Sequence, residues 1–228
     1  MKITAVVGSP HGMEMATGSI LKSLLECAEN DGAEIEVFSL SGQSVLPCMG
    51  CRMCGKIGRC VLHDDFNRIN NALLEADGIV LASPNYFHNV STQMKSFIDH
   101  CSVLCHCQML KGKYGAVVVS SGGPLFDPVE KYLFDVFQMF GVWKVGSVCA
   151  AKPQMKDEDE HARVMQDAAN LGERLVKAIQ NGERFPEQEE GLLTAFESMR
   201  MMIQLYPDEW KFEYDYWKSH YGFSENSV

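Results

Sequence analysis

No apolar run in this 228-residue chain approaches the ~18 residues that a membrane-spanning helix needs, so a helical membrane protein is excluded. Positive charge is also scarce. Twenty Lys and Arg face 30 Asp and Glu, a net charge of −10, which speaks against a nucleic-acid groove or an anionic membrane surface as the main partner. The opening residues MKITAVVGSP lack the charged-then-apolar layout of a signal peptide. The nine cysteines are therefore expected in a reducing cytoplasm, serving metal or redox chemistry instead of disulfides. Internal repeats and low-complexity segments are absent as well. What is present is ordinary globular composition, 46% hydrophobic, which allows a full core.

Apolar patterning places a buried strand at Lys2–Val7 and a helix over 17–30, where Ile20, Leu21, Leu24, Leu25 and Ala28 share one face. Strands are expected at Glu34–Leu40, Gly78–Ala82, Tyr114–Val119 and Val142–Ala150. Helices are expected over 65–76, from Ser91 or Thr92 through Cys101, over 127–140, and over Asp157–Gln180. Five strands alternating with helices indicate an α/β fold, a doubly wound parallel sheet with helices on both faces. That domain is expected to span 1–182. Residues 183–228 read as an extension: a helix over 188–205, then a stretch crowded with Tyr206, Trp210, Phe212, Tyr214, Tyr216, Trp217, Tyr221 and Phe223. The aromatic stretch has no clean helical or strand period. It carries too much apolar surface to stay unpacked, and its partner is either its own domain or a neighbouring subunit.

Within the segment 47–65, Cys48, Cys51, Cys54 and Cys60 follow the spacing C-x2-C-x2-C-x5-C on a glycine-bearing loop. Four convergent thiolates suit a cubane iron–sulfur cluster or a structural zinc, and a thiol-rich loop without metal is the plainer reading. Compact spacing leans towards a [4Fe-4S] cluster, since zinc sites more often use two separated pairs.

Ligands of parallel sheets bind at the carboxyl ends of the strands. After strand 1, Ser9 and His11 lead to Thr17, Gly18 and Ser19 at a helix start, where hydroxyls and free N–H groups suit a phosphate. The loop is neither a G-x-G-x-x-G fingerprint nor a lysine-bearing P-loop. After strand 3, Pro84, Asn85, Tyr86, Phe87 and His88 offer flat aromatic surface and amide donors. After strand 4, Ser121, Gly122 and Gly123 let a planar ligand lie close to backbone. A phosphate cradle with two edges for a flat ring matches flavin mononucleotide (FMN).

These residues, together with Ile3-Thr4-Ala5-Val6-Val7-Gly8-Ser9-Pro10, the cysteine motif trailed by Asp64-Asp65, Ala76-Asp77-Gly78-Ile79-Val80 and Lys95-Ser96-Phe97-Ile98-Asp99, carry a resemblance. Over about residues 1–180 the chain resembles the NAD(P)H-dependent FMN reductases of the flavodoxin-like fold, most closely the iron–sulfur flavoproteins. The resemblance implies FMN held by the three loops, Cys48, Cys51, Cys54 and Cys60 as cluster ligands, and NAD(P)H as a possible electron donor. It implies electron transfer between FMN and the cluster, with a small-molecule or protein donor and acceptor, in a homodimer or homotetramer. The chain departs from the family in its phosphate loop, where His11 and Ala16 stand for a basic residue and an Asn. The alternatives are an NAD(P)H-dependent FMN, quinone or nitro reductase without a cluster, and a zinc-stapled scaffold whose aromatic tail docks a partner.

Other groups have plainer readings. Cys101, Cys105 and Cys107 beside His100 and His106 could form a second ligand set, but core packing is favoured. His88 is the better placed of two proton-relay candidates, His63 being the other. Cys27 and Cys149 are expected in the core, and Met13, Met15, Met199, Met201 and Met202 as fillers of space.

Overall fold

The computed structural model describes residues 1–42 and 45–223. Among them, strands β1 (Lys2–Val7), β2 (Glu34–Ser39), β3 (Gly78–Pro84), β4 (Tyr114–Ser121) and β5 (Trp143–Ala151) form one parallel sheet in the order β2-β1-β3-β4-β5. The helices are α1 (Ala16–Asn30), α2 (Met53–Ile57), α3 (Phe66–Glu75), α4 (Thr92–His100), α5 (Ser102–His106), α6 (Asp127–Phe140), α7 (Glu158–Asn181), α8 (Pro186–Leu205) and α9 (Lys211–His220). The strand order is that of the flavodoxin-like fold, whose crevice opens between β1 and β3 where the winding reverses.

The side chains of a strand alternate between faces, and this divides the core in two. Ile3, Ala5, Val80, Ala82, Ala116 and Val118 face α1 and α7 with Leu21, Leu24, Leu171 and Leu175. Val6, Ile79, Leu81, Val117 and Val119 face the other layer with Phe66, Ile69, Met94, Phe97, Leu133 and Phe137. Burial on both faces explains why β3 and β4 read as unbroken apolar runs. No helix among the described residues is long and apolar enough to cross a membrane.

The extension is helical to a greater degree than its sequence suggests. The aromatic stretch without a clear period contains α9, and α8 starts at Pro186, ahead of the expected 188. Aromatics line more than one side of α9 because it is gripped on several sides. Trp217 is fully buried, donates its indole N–H to His106 O (2.8 Å) and packs on Phe196 and Tyr221 with ring centroids 4.8 and 4.7 Å away. Glu213, 1% exposed, meets His106 Nδ1 at 3.0 Å. The tail thus packs on its own chain around α5; residues 224–228 of the expected extension lie outside the described residues. Two short helices, α2 and α5, were not foreseen. Cys27 and Cys149 are half-buried instead of fully in the core, although Cys149 still packs against one of the two core layers.

Candidate active site at the carboxyl ends of the strands

At the end of β1 the chain turns over the sheet into α1. Gly8 N–H donates to Ala82 O (2.8 Å) and the Ser91 hydroxyl donates to Gly8 O (2.5 Å), which pins this loop to β3 and α4. His11 N–H donates to the buried Ser9 hydroxyl oxygen (3.2 Å), and Gly12 N–H to Ser9 O (2.9 Å). Met15 occupies the N-cap of α1, so no side chain caps the helix, and no acidic residue stands in its first turn. The first-turn N–H groups of such a helix lack intrahelical partners and carry partial positive charge, which suits an anion. The loop closes tightly: a methyl group on Gly18 would lie 2.3 Å from the Met13 backbone.

The Thr17 and Ser120 hydroxyls, 2.6 Å apart and buried, tie the loop after β1 to the end of β4. After β3, Asn85 N–H donates to Ser120 O (2.7 Å), and its side-chain amide donates to Ser121 Oγ (3.3 Å) and to Leu125 O. Asn85 Oδ1 is buried and has no partner among the described residues. Tyr86 and Asn89 exchange backbone hydrogen bonds of 2.9 and 3.1 Å, and the two residues between them, Phe87 and His88, both take left-handed backbone angles (φ 52° and 60°). This is the geometry of a tight hairpin turn. It leaves the Phe87 ring wholly in solvent.

Between these loops lies a cavity of about 430 Å³. Its lining includes Ser9, His11, Thr17, Pro84, Asn85, Tyr86, Ser121 and Gly122, all singled out from sequence. Gly18, Ser19, Phe87, His88 and Gly123 adjoin it without lining it, so part of the expected cradle (Ser9, His11 and Thr17) converges while Gly18, Ser19 and the tip of the aromatic turn stand outside. Sequence reading places Ala16 in the phosphate loop and Ser120 in the loop after strand 4 without making either a binding residue, and it misses Met15 and, from the turn between β5 and α7, Lys152, Met155 and Lys156. Strand order was the available signal for the last three: the end of β5 opens on the same edge of the sheet as the other loops. Among the described residues, no carboxylate lines the cavity.

The thiol loop lies elsewhere. Cys48, Cys51, Cys54 and Cys60 line a second cavity, of about 230 Å³, beside Asp99 and His100. Cys48 and Cys51 are exposed, and Cys54 and Cys60 half-buried. Protein contacts hold this loop. Cys60 Sγ approaches His100 Nδ1 (3.4 Å), Cys60 N–H donates to Asn67 Oδ1 (3.2 Å), and α2 packs on α9, where a methyl group on Gly58 would lie 2.4 Å from the Phe212 ring. Burial pushes the Cys54 and Cys60 thiols above the usual thiol range. Burial likewise raises Cys105 to about 12 and lifts Cys101 and Cys107, which with Cys105 are core residues and not a ligand set.

Residues 1–157 match the family described as NADPH-dependent FMN reductase. The chain belongs to this family. A curated relative, an iron-sulfur flavoprotein of Archaeoglobus fulgidus, is 32% identical over 222 residues, 96% of this chain and 98% of that protein. In fold, the chain is similar to an FMN-dependent NADH-azoreductase from Bacillus anthracis solved with FMN (TM-score 0.59, 15% identity, 77% of this chain and 100% of that one). It is similar too to an NAD(P)H:quinone oxidoreductase from Methanothermobacter marburgensis (TM-score 0.62, 14% identity, 77% and 96% covered). As an FMN reductase family member the chain is a flavin-dependent oxidoreductase.

The family assignment leaves one expectation corrected. Among the described residues, no three Cys, His, Asp or Glu side chains come together in a group able to hold a metal ion. The [4Fe-4S] cluster on Cys48, Cys51, Cys54 and Cys60, and with it electron transfer from FMN to a cluster, is therefore not supported. The spacing brings four thiols to one cavity wall, but among the described residues they do not form a group able to hold a metal ion. The zinc-stapled scaffold falls with the same observation.

Proposed function

We propose that this chain is an NAD(P)H-dependent reductase that holds FMN at the carboxyl ends of the strands and reduces a small acceptor such as a free flavin, a quinone or a nitro compound. The observation that carries the reading is the cavity itself. It joins an uncapped helix start free of acidic side chains to a wall holding an orphaned acceptor, Asn85 Oδ1, and it has no carboxylate in its lining. A phosphate fits the first feature and a ring N–H donor, such as the imide of a flavin, fits the second. FMN, when bound, supplies hydride and one-electron chemistry. The protein's work is binding and orientation. Ser9, Thr17 and the first turn of α1 hold the phosphate end. Asn85 presents a fixed acceptor to the ring because its own NH2 is already committed to Ser121 and Leu125. Tyr86 forms one rim.

The mouth of the cavity is apolar beyond what a lone chain needs: Met15 is 57% exposed, Leu125 58% and Phe87 102%. A second copy covering this mouth is part of the reading. The free thiols suit a reducing, cytoplasmic setting.

The test is reconstitution of the purified protein with FMN, followed by NADPH and NADH oxidation against a benzoquinone and a nitroaromatic under argon. Turnover that depends on FMN is expected. Protein that retains no FMN, or retains it without oxidising either nucleotide, would overturn the proposal.

A further inference from the structure

The segment expected to grip the cofactor's phosphate, Gly8 to Ser19, contains no Lys or Arg, and its one acidic residue, Glu14, is exposed. In a chain of net charge −10, a phosphate monoester with close to two negative charges is held more tightly where local cations add to the helix N-terminus. The fold supplies them from another element. The α1 and α7 helices pack side by side and both begin at the same edge of the sheet, with the partly buried Met13 and Met155 packed against the same core. The turn between β5 and α7 is thereby set against the start of α1. Lys152 N–H donates to Ser121 O (2.8 Å), Ala151 N–H to Gln154 Oε1 (2.9 Å), and Lys156 N–H to Pro153 O (3.1 Å), so the backbone of this turn is fixed. Its two lysines line the same cavity as Ser9, His11 and Thr17.

Neither ammonium group has an ion pair or hydrogen bond among the described residues. The acidic residues that follow them are partly engaged elsewhere. Asp157 accepts from Glu160 N–H at the N-cap of α7 (3.0 Å), and Glu160 pairs with Arg163 (2.7 Å). Lys152 and Lys156 are thus free cations at the wall of a carboxylate-free cavity.

We infer that Lys152 and Lys156 form the cationic half of the phosphate site, opposite the start of α1, and set the chain's preference for a phosphorylated flavin. This rests on the FMN reading above. It adds a second element, the turn after β5, to a site that the sequence places in the β1 loop alone.

The test measures affinity, not turnover. Flavin is removed, and FMN and riboflavin, which lacks the phosphate, are titrated by flavin fluorescence into wild type and the Lys152→Ala/Lys156→Ala variant. Each lysine is expected to contribute up to about fivefold to FMN affinity, the upper range for a charge pair open to solvent. The double variant should therefore lose several-fold, up to about 25-fold, for FMN and remain within twofold for riboflavin, which also shows that its site is folded. Raising salt should weaken FMN binding to wild type more than to the variant. Equal FMN affinity in both proteins, or equal loss for both flavins, would overturn the inference. So would unchanged FMN affinity with a raised KM for NADPH but not NADH, which would give the lysines to the nucleotide's phosphate instead. Wild type that binds neither flavin would overturn the FMN reading itself, and the inference with it. Wild type that binds riboflavin as tightly as FMN would leave that reading standing and remove the lysines from it.

Discussion

Replacing Trp217 with alanine tests whether the carboxyl-terminal extension is an integral part of the fold. The indole is fully buried, packed among Phe196, Tyr221 and Phe223, and its N–H satisfies His106 O. Truncating a buried aromatic of this size costs about 3–5 kcal/mol. Leaving the His106 carbonyl without a donor adds about 1 kcal/mol where water cannot reach it. For a chain of this length each kcal/mol lowers Tm by roughly 2–4 °C, so the combined loss of about 4–6 kcal/mol predicts a fall of about 8–24 °C. The assay is thermal unfolding of the flavin-free protein followed by far-UV circular dichroism. Trp217→Phe keeps one aromatic ring but loses the N–H and part of the buried indole volume, and should fall by less than the alanine variant. A second readout is local. Because α9 seats α2 through Gly55 against Trp210 and Gly58 against Phe212, loosening α9 should expose Cys54, and its alkylation by iodoacetamide should accelerate. A Tm shift below about 3 °C with unchanged Cys54 reactivity would show that the extension is an ornament on a fold complete without it.

Thr17→Val removes the buried Thr17–Ser120 hydrogen bond and leaves the Ser120 hydroxyl facing a methyl group; a loss of about 1–3 kcal/mol in stability, with weaker FMN binding, is expected by denaturant titration and fluorescence. Phe87→Gly relieves a left-handed residue worth roughly 1–2 kcal/mol of strain while adding about 0.5–1 kcal/mol of unfolded-state entropy, so stability should hold or rise slightly. The same variant should weaken self-association measured by light scattering, because it removes the most exposed aromatic at the cavity mouth. Burial raises the Cys105 thiol to about 12, so the native state keeps a proton that the unfolded chain releases near pH 9. That stabilisation is complete below about pH 8.5 and is lost as pH rises towards 12; Cys105→Ala should flatten the alkaline fall in Tm, and an unchanged fall would remove Cys105 as its cause.

The layers of this fold were legible because one physical constraint acts on every strand. β3 and β4 are covered on both faces, so Gly78–Ala82 and Tyr114–Val119 had to be apolar throughout, and they identify themselves as central parallel strands. The α9 helix obeys no such constraint. Its residues meet α2, α5 and α8 on different sides, so aromatic and polar residues follow the shapes of three neighbours instead of one face, and the period disappears. Tertiary contact, not local propensity, makes that helix.

The same distinction separates what could and could not be read of the site. The loops after β1, β3 and β4 carry small and hydroxylic residues at strand ends, a local signature, and Ser9, Thr17, Asn85 and Ser121 duly share one cavity. Lysines in the turn after β5 look like any solvated pair in a run that continues Asp157-Glu158-Asp159-Glu160. Only the packing of α7 beside α1 turns them towards the site's edge. The cysteine motif erred in the opposite direction. Spacing is a statement about reach along the chain, whereas a metal needs donors at one point. Between Cys51 and Cys60 the chain is occupied by α2, whose position is set by Trp210 and Phe212 more than a hundred residues away. A motif read within its own loop cannot register a contact made by another part of the chain, such as the seat of α2 against Trp210 and Phe212.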